Sequence, residues 1–165
     1  MSHIRSFPPV DNPDANVLIL GSMPGEASLR AGEYYAHPRN HFWRLMAAII
    51  ALDPAAPYGQ RIRALQSSGI ALWDVLHSCT RVGSLDSNID KASQVANDFA
   101  PFFARHIKIT HVFFNGAAAE QLYRSRVLPV IKLRHIEYLR LPSSSPANAS
   151  LTFERKLDAW KAILR

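Results

Sequence analysis

The apolar run Val17-Leu18-Ile19-Leu20 breaks off at Gly21-Ser22-Met23-Pro24-Gly25, and no other stretch of the chain constrains its fold as much. Four consecutive aliphatic residues suit a strand buried on both faces. The Gly-Ser-x-Pro-Gly turn then bends the backbone sharply at the carboxyl edge of a sheet, where open α/β folds bind ligands. Close behind it, Tyr34-Tyr35-Ala36-His37-Pro38-Arg39-Asn40-His41-Phe42-Trp43 brings two tyrosines, two histidines, an arginine and an asparagine. A connecting loop is built from Gly, Pro, Asn, Asp and Ser and needs no such chemistry. The two segments together read as a ligand pocket.

Beyond them the chain alternates strand and helix patterns. Phe42, Leu45, Met46 and Ile49 recur at helical spacing and predict a helix over about residues 40–51, with a second helix over 58–68. Gly69 to Val75 reads as a short strand, and residues 91–106 as a helix interrupted or started by Pro101. Lys108 to Phe114 is a clear strand, followed by a helix over Ala117–Arg126 and an alternating strand over Ile136–Leu141. After a Pro/Ser loop, Phe153, Leu157, Trp160 and Leu164 line one face of a final helix. Four strands alternating with helices predict an α/β fold, a three-layer α/β/α sandwich around a mostly parallel sheet.

At 165 residues, 48% of them apolar, the chain is long enough for one domain with a substantial core, and neither a repeat nor a linker divides it. The amino terminus has no apolar stretch of signal-peptide length, and no window approaches a membrane span, so a cytoplasmic monomer is expected. A lone Cys79 excludes an internal disulfide and any all-cysteine metal site, and no His, Cys and carboxylate cluster matches a metal-binding pattern. No cofactor is implied.

A net charge of +6 and a pI near 9.8 favour a polyanionic partner, because cations that neutralise phosphates release condensed counterions. Charge alone fits a merely basic protein equally well. Position separates the two readings: Arg30, Arg39, Arg44 and Arg81 lie near the pocket segments in sequence, whereas Lys156 and Lys161 fall on an ordinary solvated helix face.

Three strands end in unusual loops: Gly-Ser-Met-Pro-Gly after Leu20, Asn115-Gly116 after Phe114, and Pro142-Ser143-Ser144-Ser145-Pro146-Ala147-Asn148 after Leu141. In a parallel sheet all three share one edge. Asn115 reads either as a turn residue or as an amide presenting donor and acceptor to a nucleobase edge. The serine loop reads either as a capping turn before the last helix or as hydroxyls and free amides for phosphate contacts.

Gly21-Ser-Met-Pro-Gly25, Tyr34 to Trp43, Phe114-Asn-Gly116 and Leu141 to Asn148 together resemble the hypoxanthine-DNA glycosylase family, a branch of the uracil-DNA glycosylase superfamily. Trp73-Asp74-Val75 and Gly83-Ser-Leu-Asp-Ser-Asn88 are similar to that family's middle section, so the resemblance spans nearly the whole chain. It implies a monofunctional DNA glycosylase that removes a deaminated base from DNA, hypoxanthine first and uracil second. Breaking an N-glycosidic bond builds oxocarbenium character on the sugar while negative charge moves to the departing base. The base must first be flipped out of the stack. The resemblance implies that Tyr35 stacks on that base, where mismatch-specific relatives carry phenylalanine. Backbone amides around Ser22 and Met23 would face an exocyclic oxygen, and Asn115 would read the base edge. Ser143, Ser144, Ser145 and Asn148 would contact DNA.

Met23 occupies the position where most branches of the superfamily place a water-activating Asp, Asn or Glu, and a thioether cannot orient water. The hypoxanthine branch resembles this chain in that respect and uses the asparagine matching Asn40, whose carboxamide accepts a hydrogen bond from water without being a strong base. The alternative is that Asn40 merely caps the helix beginning at His41. Ser143 stands where the uracil branch has a histidine that stabilises the leaving base, a departure that weakens the expectation of efficient uracil excision. His41 reads as a packed group. Asp74 is expected to make a structural hydrogen bond and Asp86 to cap a loop; neither has a carboxylate partner at a suggestive spacing. The pocket segments contain no lysine, which disfavours a Schiff-base lyase step. Two alternatives stay open: a mismatch-type uracil glycosylase, and a catalytically silent module that binds damaged DNA or nucleotides.

Overall fold

The computed structural model describes residues 2–164. In chain order the first half holds β1 (Ser2–Arg5), β2 (Val17–Gly21), α1 (Glu26–Ala31), α2 (Phe42–Ile50), α3 (Tyr58–Ser67), β3 (Ile70–Asp74) and β4 (Leu76–Arg81). The second half holds β5 (Val95–Ala96), α4 (Phe99–Arg105), β6 (His111–Asn115), α5 (Ala117–Arg126), β7 (Glu137–Leu141) and α6 (Phe153–Trp160). Strands β3, β2, β6 and β7 pair in that order, all parallel. Alternation along β2 divides the core: Leu18 and Leu20 face Phe99, Phe102 and Phe103 of α4 and Tyr123 of α5. Val17 and Ile19 face Phe42, Leu45 and Met46 of α2, Leu65 of α3 and Trp160 of α6. This is the expected three-layer α/β/α arrangement on a four-stranded parallel sheet.

Several elements differ from the sequence expectation. A second sheet, β1-β4-β5, is antiparallel throughout. Strand β4 leaves β3 after a single residue, Val75, and carries the polar side chains His77, Ser78 and Thr80, so the apolar pattern gave no sign of it. Helix α1 is only six residues long, bounded by Gly25 and by Gly32 at φ 66°, a left-handed stop that glycine adopts without strain. The region 91–106 is not one helix: a 3-10 turn at Lys91–Ser93 and the short β5 precede α4, which starts at Phe99. Pro101 lies in the first turn of α4, where its missing N–H removes no intrahelical bond. Lys156 is 1% exposed, which corrects its placement on a solvated face, and its burial lowers the ammonium pKa.

What matters for function is how the carboxyl ends are joined. The β6–β7 register sets Asn115 opposite Leu141, so Gly116 and the serine loop leave the sheet side by side. Gly116 has φ 95°, and a Cβ there would come within 3.0 Å of Ser143 Cβ, so only glycine permits this approach. Helix α6 holds the loop from the other side: the Trp160 indole, wholly buried, donates to the Pro142 carbonyl at 2.8 Å. Trp160→Phe is expected to destabilise the fold by about 2 kcal/mol, through the lost hydrogen bond and the smaller ring. A urea titration would read this as a lower midpoint at unchanged slope.

Candidate active site

A pocket opens at the carboxyl ends of β2, β3, β6 and β7, and all three of the loops singled out in the sequence line it. The first wall is the turn after β2. Its shape is set by its own carbonyls, since Val75 N–H donates to Gly21 O at 2.8 Å and Leu76 N–H to Ser22 O at 3.1 Å. The Ser22 hydroxyl donates to Asp86 Oδ1 at 2.7 Å. Behind the turn, Arg81 donates to the Pro24 carbonyl at 2.6 Å and the Gly83 carbonyl at 2.7 Å. It is 2% exposed, so Arg81 braces the turn and is not available to a phosphate; Arg30, Arg39 and Arg44 are exposed. Met23 is buried against Leu76, Cys79 and Ile89, so that its backbone rather than its side chain is what the turn can present.

The second wall is the segment from Tyr34 to Asn40. Tyr35 lies in the left-handed region at φ 55°, a conformation that costs a non-glycine residue about 1–2 kcal/mol. Its neighbours hold it there. Tyr34 N–H donates to Tyr58 Oη at 3.0 Å, the Trp43 indole donates to Tyr34 O at 2.9 Å, and Ala36 N–H donates to Ser28 Oγ at 3.0 Å. The Tyr35 ring stacks on Phe42 with centroids 4.2 Å apart, which orients it against the pocket. Its hydroxyl is buried without a hydrogen bond of good geometry. Burial pushes that phenol well above the ordinary tyrosine range, with the Asp74 charge adding to the effect and the nearby Asn115 amide opposing it.

Asn40 reaches the same pocket, and its Oδ1 accepts from Phe42 N–H at 2.9 Å, the first residue of α2. Asn40 is thus not the helix cap, since His41 occupies that position without a side-chain cap bond; it closes an Asx turn on the first N–H of α2, and the second lone pair of its oxygen remains for a water. His37 Nδ1 accepts from Arg39 N–H at 3.1 Å. His41 packs edge-on to Phe153, and burial together with the Lys156 and Arg44 charges lowers its pKa.

The third wall corrects two expectations. Both ends of the Asn115 amide grip one residue: Nδ2 donates to Ser144 Oγ at 2.9 Å and Oδ1 accepts from Ser144 N–H at 2.8 Å. Asn115 thus keeps only one amide proton and one lone pair for any base edge. Ser144 is 1% exposed with its carbonyl accepting from His41 N–H at 3.0 Å, so it locks the loop to α2 and offers nothing to a phosphate. Ser143 and Ser145 sit less deeply; their hydroxyls accept from Ser145 N–H and Ala147 N–H, each at 3.1 Å. Asn148 Nδ2 closes the turn on the Ser143 carbonyl.

Asp74 is where reading the residues alone went furthest astray. It ends β3, is 3% exposed, lines the pocket, and its Oδ2 has no hydrogen-bond partner where a structural bond was expected. Asp86, twelve positions on, lines the same pocket and acts on it. Burial first, then the Asp86 charge, push the Asp74 carboxyl up to about 7, with Arg81 opposing. The available signal was an aspartate closing the otherwise apolar strand Ile-Ala-Leu-Trp-Asp on the edge shared with Gly21 and Asn115. Among the described residues no three His, Cys, Asp or Glu side chains come together to hold a metal ion.

The raised carboxyl has a signature in stability. Between pH 3.8 and about 7 the unfolded chain releases a proton that the folded chain keeps, so stability falls as pH rises through that window and levels off above it. Asp74→Asn removes this dependence. Its stability relative to the natural protein is expected to improve from pH 4 to pH 7 by up to about 4 kcal/mol and then stay constant, as measured by denaturant titration at each pH.

The family model described as the uracil DNA glycosylase superfamily matches residues 8–164. A hypoxanthine DNA glycosylase of Methanosarcina barkeri is 36% identical over 166 aligned residues, with 98% of each chain covered. One of Methanosarcina acetivorans is 35% identical at the same coverage. A solution NMR structure from Methanosarcina acetivorans, provisionally described as a uracil DNA glycosylase, is 33% identical and superposes with a TM-score of 0.80 over 99% of this chain and 98% of its own. With its three-layer fold, its pocket at the carboxyl edge and this match along nearly its whole length, the chain belongs to the uracil DNA glycosylase superfamily.

Proposed function

We propose that the protein is a monofunctional DNA glycosylase that hydrolyses the N-glycosidic bond of a deaminated base, hypoxanthine ahead of uracil, acting as a monomer on DNA. The observation that carries this reading is the convergence of Tyr35, Asn40 and the turn at Ser22–Met23 on one pocket, in a chain that matches proteins named hypoxanthine DNA glycosylase. A flipped base needs an aromatic face, and the Tyr35 ring, backed by Phe42 and held in a strained conformation, is a rigid one. The backbone at Ser22 and Met23 faces an exocyclic oxygen, where charge accumulates as the base departs. Asn40 positions the attacking water through its free lone pair. No lysine lines the pocket, in keeping with hydrolysis rather than a Schiff-base lyase step.

Asn115 shapes the pocket by holding the serine loop, and its remaining proton and lone pair touch the base edge. Ser143 and Ser145 line the pocket, Asn148 closes their loop, and these three meet the phosphates together with the exposed Arg39 and Arg44.

The decisive experiment is excision from oligonucleotides carrying a single deoxyinosine or deoxyuridine, read as alkali-labile sites. Cleavage at deoxyinosine ahead of deoxyuridine is expected; cleavage at neither would sink the reading. Asn40→Ala should lower the single-turnover rate per folded molecule about a hundredfold, and because it also frees the Phe42 N–H it should cost on the order of 1 kcal/mol of stability. Melting temperature and rate measured on one preparation separate the two effects. Ser143→Ala with Ser145→Ala should weaken duplex binding severalfold, with the loss largest at low salt because the phosphate contacts are electrostatic. Unchanged affinity, measured by fluorescence anisotropy, would remove these hydroxyls from the interface.

A further inference from the structure

Gly21 has no side chain, and two polar groups converge on the space this leaves. A Cβ there would lie 2.5 Å from Asp74 Oδ1 and 3.0 Å from Tyr35 Oη. Both groups have an orphaned atom: Asp74 Oδ2 and Tyr35 Oη are two of the four buried side-chain polar atoms among the described residues that lack a hydrogen bond, the others being His41 Nδ1 and Arg81 Nη1. Two neighbouring orphans on the floor of a pocket call for a polar occupant. The residues facing Asp74 leave its carboxyl without a bonded cation. Arg81 gives Nε and Nη2 to the Gly83 and Pro24 carbonyls, and its Nη1, though its charge acts on Asp74, makes no hydrogen bond; Asp86 is itself an acid, and burial keeps the Tyr34 and Tyr35 phenols neutral.

We infer that Asp74 is a catalytic acid that gives its proton to the departing base, an assignment that rests on the glycosylase reading above. No other group in the pocket is as well suited. The amides of Asn40 and Asn115 do not give up protons near neutral pH, and His37 uses its Nδ1 to accept from Arg39 N–H. Asp86 accepts a hydrogen bond from the Ser22 hydroxyl and is exposed. Asp74 alone is an unpaired carboxyl that faces the pocket and is nine-tenths or more buried. Its carboxyl titrates at about 7, in the range where a group is both present as the acid and able to release its proton.

In the step itself, the bond between the sugar carbon C1′ and the base nitrogen breaks, and its electron pair moves into the base ring. The Asp74 carboxyl proton passes to a ring nitrogen of the base, which leaves neutral. The water held by Asn40 forms the new bond to C1′ and gives its own proton to solvent. Asp74 is left as a carboxylate and is reprotonated from solvent before the next turnover. The products are the free base and a sugar hydroxyl, so protons and electrons balance. This acid serves hypoxanthine better than uracil. A purine has ring nitrogens with in-plane lone pairs that accept a proton without loss of aromaticity, whereas uracil offers only carbonyl oxygens and departs as an anion. The acid also offsets the missing charge on the base side, since Ser143 is a neutral hydroxyl.

The test is the single-turnover rate of the natural protein and of Asp74→Asn on deoxyinosine and deoxyuridine oligonucleotides, from about pH 5.5 to 9. Asparagine keeps the size and a hydrogen-bond donor but has no proton to transfer. The natural protein is expected to lose deoxyinosine excision about tenfold per pH unit above a shoulder near 7. The variant should show no such limb, be at least about tenfold slower than the natural protein on deoxyinosine at pH 6, and lose roughly threefold or less on deoxyuridine. A variant that keeps the natural rate and pH profile overturns the assignment, and so does one that loses both substrates equally with the alkaline limb still present. If the variant does not fold, a deoxyinosine rate in the natural protein that is independent of pH across this range overturns it alone. A natural protein that excises neither base takes the glycosylase reading down with it, an outcome distinct from all of these.

Discussion

A parallel sheet covered on both faces leaves its strands one place to present chemistry, and everything about this pocket depends on that constraint. Strands β2 and β3 are buried along their full length, so a polar side chain within them would be stranded in apolar surroundings. The polar groups therefore collect at the carboxyl edge. Because β2, β3, β6 and β7 run the same way and in register, Gly21, Asp74, Asn115 and Leu141 end at one level. Four segments far apart in the chain thereby build one cavity.

At that edge, polar interlocks take over from hydrophobic packing. The Asn115–Ser144 pair, the Ser144 carbonyl with His41, and Trp160 with Pro142 tie the serine loop to β6, α2 and α6 in turn. These bonds hold the loop. Ser144 is thus spent on preorganisation and Asn115 half spent, while Asn40, Ser143 and Ser145 keep capacity for a ligand. Rigid walls of this kind matter for glycosidic cleavage, where fixed dipoles must already point to where charge will develop.

The same site holds features that stability alone would not retain. Tyr35 sits in a left-handed conformation and two buried polar atoms lack partners, each a cost to the folded state. The groups that carry both atoms, the Asp74 carboxyl and the Tyr35 hydroxyl, converge on Gly21; the other two buried atoms without partners among the described residues are Arg81 Nη1, behind the turn, and His41 Nδ1, next to Asn40. Strain at Tyr35 together with orphaned polarity at Tyr35 and Asp74 in one pocket fits a fold built around a ligand.

The pattern of apolar runs determined the layered α/β fold, the order of its main strands and the helix over Ala117–Arg126, because burial on both faces leaves a continuous signature in the residues themselves. The three edge loops were legible for the same reason: turn residues at the ends of such runs can lie only on the edge. The antiparallel sheet was not, since β4 is mostly polar, with Ser78 and Arg81 buried, and has no continuous apolar run. Nor was the difference between Ser144 and its neighbours, three identical residues in a row, of which one is clamped by Asn115. Asp74 is the clearest case. Its place in the sequence shows a carboxylate at the end of an apolar strand; its chemistry depends on Gly21, Tyr35, Asp86 and Arg81 being packed around it. A side chain's identity is local, but its solvation and its hydrogen-bond partners are set by residues brought from elsewhere in the chain, and those only the tertiary structure decides.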